Sequence, residues 1–562
     1  MKKFSLWGML VAVATMICGC GDDTLNSSEA ESSSSEVLIS SSEETIPASS
    51  SLPVCLAEVP ECGYTPPSSS SANPALDSVV NTDTTKVSYS LKAFKGPFTN
   101  PHKGFCVTIE GTWAFSEEWD YAPTGAKNNK AWDVVSHGCG YQRWNKLNPA
   151  KGVYDWTDFE KLLNAHAEHG LGYGLRVFPY ASPMGRKNKY TVESDYDWTP
   201  SFVYEAGAKK DYAKMTDGGV EYTLAVPRWD DPIYIHAAKD FAAALAAKYD
   251  GDPRLEYIDV RAFGNWGEWH ISHFDGSQMP SDSVQIDMLE YYASLFKKTL
   301  LVLPSDGKGE PFERAMELGI AKRDDGLIGT PWREDSLAIA YKAGLPTIGE
   351  NISTYEIMLT YDNVIPGGYL KWTVDRWKEV VYKSHMTYYV LDQDNYAGYQ
   401  FYLDNKEDAD SLSKVLGYNF SISKAELVVV GNASDVAAGS DASGDVAGGS
   451  TTLNITVKNT GLAPCFFDVY IVAELVDSAG VVLEQLGKTV YIPKGTFKDE
   501  DVKEFSFTNK IAGGVADVAA QPGVTVALSI YENEEAYKSG KNPTVKFDND
   551  GIMENNKLLL KQ

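Results

Sequence analysis

Between residues 88 and 416, short apolar runs alternate with amphipathic helical stretches, and this alternation constrains the fold more than any other feature of the chain. Runs of that length suit strands buried on both faces. The helices between them carry the chain back to begin the next strand, which is the pattern of parallel β/α units. Residues 105–109 and 140–144 read as the first two strands. Thr157 with Glu160 resembles a capping box, after which Phe159, Leu162, Leu163 and His166 form a helical stripe ending at Gly170. Residues 172–178 then make a third strand and complete one β/α/β unit. A long polar and aromatic insertion at 179–235, carrying Trp198 and Trp229, precedes a helix at 236–249 whose Ala238, Phe241, Leu245 and Tyr249 share a face. Further strands are expected at 255–263, 299–303, 326–329, 347–349 and 369–373, with helices between them and a last helix at 406–416. Such a count favours a closed (β/α)8 TIM barrel over an open sheet, and no Gly-x-Gly-x-x-Gly turn supports a dinucleotide fold. In a barrel of this kind the chemistry gathers at the C-terminal ends of the strands.

After Tyr418 the helices stop. Residues 425–430, 452–457, 467–474, 481–484, 489–492, 504–507 and 524–531 read as short strands joined by turns, which predicts an all-β, immunoglobulin-like sandwich. Residues 431–449, rich in Gly, Ala, Ser and Asp, are expected as a hairpin insertion. The expected division is a barrel over 88–417 and a sandwich over 418–562. No tryptophan follows Trp377, which excludes an indole platform in the sandwich, and docking against the barrel is its expected role.

The first 20 residues read as an export signal. Lys2 and Lys3 precede an apolar stretch too short to span a bilayer, and Ile17-Cys18-Gly19-Cys20 resembles a bacterial lipobox. That likeness implies a lipid on Cys20, hence an exported lipoprotein held at the outer membrane or cell surface. An ordinary cleaved secretion signal is the alternative. Residues 21–87, rich in Ser, Glu and Pro, cannot bury enough side chain to offset their ordering entropy and are expected as a disordered linker. Cys55 and Cys62 within it are close enough in sequence to close a small loop in a disulfide-permissive compartment. A formal charge of -27 argues against nucleic acid and is compatible with a neutral partner such as a sugar. Cys106, Cys139 and Cys465 are too scattered for a zinc or iron-sulfur cluster, and no metal or cofactor is expected. Nothing in the sequence speaks to oligomeric state.

Two acidic residues end expected strands. Glu268 lies in Asp259-Val260-Arg261-Ala262-Phe263-Gly264-Asn265-Trp266-Gly267-Glu268-Trp269-His270, after the fourth strand, flanked by two tryptophans and a histidine. Glu350 lies in Pro346-Thr347-Ile348-Gly349-Glu350-Asn351, at the end of the seventh. Two carboxylates facing one sugar ring are what glycosidic hydrolysis requires: one to protonate the leaving oxygen, the other to meet an oxocarbenium-like carbon. For Glu268 the competing reading is a binding or surface residue; for Glu350 it is a structural partner for an arginine. Arg176 and Arg261 look like members of a buried network. His270 and His273 with Glu268 and Asp275 lack the spacing of a metal site, and a hydrogen bond from His270 to substrate is the better expectation.

With these motifs the stretch from Asn100 to about Leu416 resembles the clan A glycoside hydrolases. The segments Asn100-Pro101-His102-Lys103-Gly104-Phe105, Arg143-Trp144-Asn145-x-Leu147-Asn148-Pro149 and Gly152-x-Tyr154-Asp155-Trp156 are similar to a bacterial branch with a C-terminal sandwich, whose signature Asn459-Thr460-Gly461-Leu462-Ala463-Pro464 resembles. The resemblance implies a retaining β-glycoside hydrolase acting on polysaccharide or oligosaccharide, with Glu268 as acid/base and Glu350 as nucleophile about 5 to 5.5 Å apart. It implies Arg143 as the strand-two arginine beside Glu350, and Trp372 at the eighth strand's end as a sugar platform. Trp266, Trp269 and Trp332 are weaker stacking candidates. One position departs: the clan commonly has Asn directly before its acid/base glutamate, where this chain has Gly267. Either Asn265 or Asn351 takes over the contact to the sugar's 2-hydroxyl, or the substrate is recognised differently. A noncatalytic carbohydrate-binding surface lipoprotein is the rival reading.

Overall fold

The computed structural model describes residues 84–109, 115, 133–182, 196–217, 219–272, 274–305, 308–330, 334–361, 369–391, 397–431, 449–510 and 521–561. Cys20, the export signal, nearly all of the 21–87 linker, Cys55, Cys62, His273, Trp332 and most of the 431–449 insertion lie outside the described residues.

Eight parallel strands close a barrel: β1 (Gly104–Thr108), β2 (Val135–Arg143), β3 (Gly172–Phe178), β4 (Leu255–Asp259), β5 (Leu300–Pro304), β6 (Ala321–Leu327), β7 (Thr347–Asn351) and β8 (Tyr388–Val390). Closure is made by β8 on β1, with Tyr388 opposite Gly104 and Val390 opposite Cys106. Within the long insertion Lys210–Asp217 pairs with Val220–Pro227 in an antiparallel hairpin that its polar sequence does not announce. The helix after it begins earlier than expected, at Pro232–Tyr249. Asp231 caps it, accepting from the N–H groups of Ile233 at 2.8 Å and Tyr234 at 3.3 Å.

Three expectations are corrected. The helix Thr157–Glu168 has no capping box: Thr157 is already inside it, and its N–H donates to Asp155 at 3.0 Å. The sixth strand is Ala321–Leu327 rather than 326–329. Its Lys-Arg-Asp-Asp text reads as surface, yet Lys322, Arg323 and Asp324 are buried, their charges met by one another and by neighbouring strands. The eighth strand is the short Tyr388–Val390 rather than 369–373. Residues 369–373 instead lead into the helix Val374–Lys383, whose first turn is capped by the Thr373 hydroxyl accepting from Arg376 N–H at 3.2 Å.

The C-terminal region is a β-sandwich. One sheet holds Thr84–Ser88, β9 (Phe420–Val430), β10 (Ser450–Asn459) and β13 (Val502–Lys510). The other holds β11 (Val469–Val476), β12 (Val482–Ile492), β14 (Thr525–Tyr531) and β15 (Leu558–Leu559). Strict alternation along β10 sends Leu453, Ile455 and Val457 into the core, where they meet Ile471, Leu528 and Ile530. The two strands expected at 481–484 and 489–492 are one strand with an irregularity at Gly487. Its φ is +60°, and a Cβ there would lie 2.7 Å from Thr508 N. Thr84–Ser88, which falls at the end of the expected linker, pairs antiparallel with β9; its mostly exposed edge position gives it no apolar signature.

The sandwich meets the barrel at the strands' N-terminal ends. Asn100 exchanges two hydrogen bonds with the backbone of Lys546, at 3.0 and 2.9 Å, and Tyr418 Oη donates to Pro101 O at 2.9 Å. His102, just before β1, stands between Glu256 at the start of β4 (2.9 Å) and Glu532 of the sandwich (3.1 Å). The opposite face, where the strands end, is left to the loops.

Candidate active site

Beyond β4 the chain folds back on itself in a loop rich in left-handed backbone: Gly264 (φ +81°), Trp266 (+51°), Gly267 (+70°) and Trp269 (+58°). Short bonds hold it. Trp269 N–H donates to Phe263 O at 3.0 Å, Asn265 N–H to His270 O at 2.9 Å, and the Trp269 indole N–H to Val260 O at 2.6 Å. A Cβ at residue 267 would lie 2.5 Å from the Cβ of Arg261. The φ and this contact together disfavour the asparagine found before the acid/base glutamate in the resembled clan, so glycine at 267 has a reason in the backbone.

This fold-back sets Glu268 against Arg261, whose Nη1 lies 2.9 Å from Glu268 Oε1 and donates to Trp266 O at 2.9 Å. Arg261 also pairs with Asp259 at the end of β4, at 2.9 Å. Asp259 is shared with Arg323 of β6, at 2.8 Å. Arg323 Nη1 reaches Glu350 at the end of β7, at 3.2 Å, and Arg176 of β3 reaches the same carboxylate at 3.1 Å. The order Glu268–Arg261–Asp259–Arg323–Glu350–Arg176 makes one continuous chain of three carboxylates and three guanidiniums. Asp259, Arg261 and Arg323 have side chains no more than 1% exposed. Desolvation of so many charges is tolerable only because each faces an opposite one.

Burial pushes the Glu268 carboxyl up, but Arg261 and the imidazole of His270, 3.4 Å from its other oxygen, outweigh burial and hold it at about 2. In this state Glu268 is an ionised carboxylate. It can accept a hydrogen bond or act as a base, and it has no proton to give until the Arg261 contact is loosened.

Both sequence-identified glutamates therefore lie on the same end of the barrel. The arginine expected beside Glu350 was Arg143; those found there are Arg176 and Arg323, because β2 ends with Arg143 exposed and its guanidinium 4.5 Å over the Trp198 ring. Asn265 is fully buried. Its Oδ1 accepts from Ser182 N–H at 3.0 Å, while its Nδ2 has no hydrogen-bond partner among the described residues. Asn351 is buried and accepts from the Tyr389 hydroxyl. Trp269 packs edge-on against Phe263 with its N–H used by the backbone, so its ring belongs to the core. Trp372 is not at a strand end. It sits before the helix Val374–Lys383, 4% exposed, among Tyr355, Trp377 and Phe401. Tyr141 is less deeply buried, its ring nearly parallel to the buried Phe178 (4.9 Å) and Trp198 (5.4 Å). Beside them a cleft of about 400 Å³ is lined by Tyr141, Gln142, Arg143, Lys146, Asp155 and Asp158. Asp259 and Arg323 are the network members that sequence reading missed. Asp259 opens the quoted Glu268 motif, but nothing local distinguishes Arg323 from a surface cation.

No family model matches the sequence, and no curated protein does. Among solved structures the chain is similar to the catalytic domain of a β-amylase from Paenibacillus polymyxa, at 11% identity over 54% of this chain and 95% of that one, with a TM-score of 0.34. It is also similar to a GH5_18 protein from Bifidobacterium longum subsp. longum, at 12% identity over 54% and 79% with a TM-score of 0.34. A glycoside hydrolase family 30 subfamily 8 xylanase from Clostridium acetobutylicum matches at 12% identity over 75% and 97%, with a TM-score of 0.30.

Proposed function

We propose that this chain is a retaining β-glycoside hydrolase, acting on polysaccharide or oligosaccharide at the cell surface from a lipid anchor on Cys20. The observation that carries the reading is the convergence of Glu268 and Glu350, from distant parts of the sequence, on one ion-paired network at the C-terminal ends of the barrel strands. In the proposed reaction Glu350 attacks the anomeric carbon, steered by Arg176 and Arg323. Glu268 protonates the departing oxygen and then activates water to release the glycosyl enzyme. Asn265 Nδ2, a buried donor without a partner among the described residues, is suited to a sugar hydroxyl. For Glu268 to serve as an acid, the arriving sugar must displace it from Arg261 and raise its pKa from about 2.

Product analysis on a broad panel of aryl glycosides and cell-wall oligosaccharides, read by proton NMR of the first-formed anomer, tests the proposal. The retained anomer is expected; the inverted one, or no product from any substrate, would refute it. Glu350→Gly should be inactive and should regain turnover of an activated β-glycoside with azide, yielding the α-glycosyl azide. Full activity without azide would remove Glu350 from its role.

The Arg261 contact favours a second reading, a carbohydrate-binding barrel without turnover, in which Glu268 stays ionised. Carbon-13 titration of the Glu268 carboxyl with and without saturating oligosaccharide separates the two: the hydrolase requires its pKa to climb on binding, the lectin leaves it in place.

A further inference from the structure

Cys106 of β1 and Cys139 of β2 point into the barrel from neighbouring strands, both fully buried, with their Sγ atoms 2.7 Å apart. Nonbonded heavy atoms rest at roughly 3.5 to 4.0 Å even for carbon, and sulfur is larger. Two thiols are a crowded occupant of this space. A covalent S–S bond of about 2.0 Å needs the sulfurs to close by only a fraction of an ångström more. Val390 of β8 packs against the pair and completes an apolar pocket around it. We infer that Cys106 and Cys139 are a disulfide-forming pair, a covalent staple between the first two barrel strands that closes a loop spanning 33 residues.

The position gives the staple a consequence for the network above it. Arg176, Arg323 and Glu350 all act electrostatically on Cys139. Burial raises the Cys139 thiol, but the hydrogen bond with Cys106 and the two guanidiniums together bring it below its ordinary value. A thiolate formed at Cys139 in the dithiol form would compete with Glu350 for the same arginines. The disulfide is uncharged and leaves both guanidiniums to the carboxylate.

The chemistry balances with a disulfide oxidant, such as oxidised glutathione. The thiolate of one cysteine attacks it and expels one thiolate of reduced glutathione. The partner thiolate then attacks the mixed disulfide and expels the second, so that two protein thiols lose two protons and two electrons to the oxidant. Because both sulfurs are buried in the closed barrel, the exchange takes place before folding is complete.

The test uses the full chain refolded in a mixture of oxidised and reduced glutathione, then unfolded in denaturant containing N-ethylmaleimide and mapped by mass spectrometry. The expected result is a linked peptide pair carrying Cys106 and Cys139, with neither residue alkylated. Reductant added to the folded protein under mild heating should lower Tm by roughly 5 to 10 °C. Alkylation of both residues after oxidative refolding, or linkage of either to Cys55, Cys62 or Cys465, would overturn the inference. The mapping reads the native sequence and needs no glycan turnover, so its outcome is independent of the proposed reaction.

Discussion

The two ends of the barrel both bury charge, and they do so to different ends. At the N-terminal face a single imidazole, His102, lies between Glu256 of the barrel and Glu532 of the sandwich. At the C-terminal face three guanidiniums and three carboxylates are strung together, and in the loop that carries Glu268 the buried Asn265 Nδ2 has no hydrogen-bond partner among the described residues. The lower cluster spends its groups on holding two domains together. The upper one also holds a buried Asn265 Nδ2 donor with no partner among the described residues, and this contrast singles it out as the candidate site.

Substitutions at the two ends should behave differently. The largest effect is expected for Arg323→Met, which strips Asp259 and Glu350 of a shared cation while both stay buried. Loss of one partner of such a pair costs about 3–5 kcal/mol, and urea unfolding should register a fall of that order. A change below about 1 kcal/mol would mean the upper network is solvated and the contrast is false. Gly267→Asn follows at about 1–3 kcal/mol, from the φ of +70° and the 2.5 Å approach to Arg261. It should also free Glu268, detectable as a rise in that carboxyl's pKa; an unaltered pKa would show that the loop does not enforce the Arg261 contact.

The smallest effect belongs to the lower face and depends on pH. Burial disfavours the His102 imidazolium, but Glu256 and Glu532 outweigh it and hold its pKa well above the usual value. A raised histidine pKa stabilises fully below the unfolded value of about 6.5, and the contribution is lost as pH rises through the folded value. His102→Gln should therefore lose about 1–2 kcal/mol near pH 6, an amount moderated by the ring's partial exposure, and the gap to the native protein should narrow toward alkaline pH. Denaturation midpoints at several pH values check this. A gap that widens with pH would mean the ring is neutral in the folded state.

The contrast also shows what the sequence makes legible. Strands β3 and β4 announce themselves as largely apolar runs, and Glu268 is conspicuous beyond the second of them; β7 is the short Thr-Ile-Gly-Glu-Asn, where Glu350 stands out through its motif. Periodicity treats charge as surface, so it cannot find β6, whose Lys322, Arg323 and Asp324 are buried by pairing with residues far away in the chain. The same blindness hides Arg323 as the link between the two glutamates and hands its place to Arg143. Trp372 is legible as a tryptophan in an apolar run but not as a core ring, because the eighth strand is only three residues long and lies beyond the helix Val374–Lys383, which the sequence reading does not separate from it. Gly267 reads as a departure from a familiar pattern until φ and the position of Arg261 are known.

That Glu268 and Glu350 act on opposite sides of one sugar is tested most directly by covalent trapping. The chain is incubated with activated 2-deoxy-2-fluoro-β-glycosides of several sugars, digested and mapped by mass spectrometry. A glycosyl ester on Glu350 is expected, formed more slowly in Glu268→Ala when the leaving group is poor. A label on Asp259 or any other carboxylate, or turnover of the natural substrate with no label under any of these sugars, would contradict it.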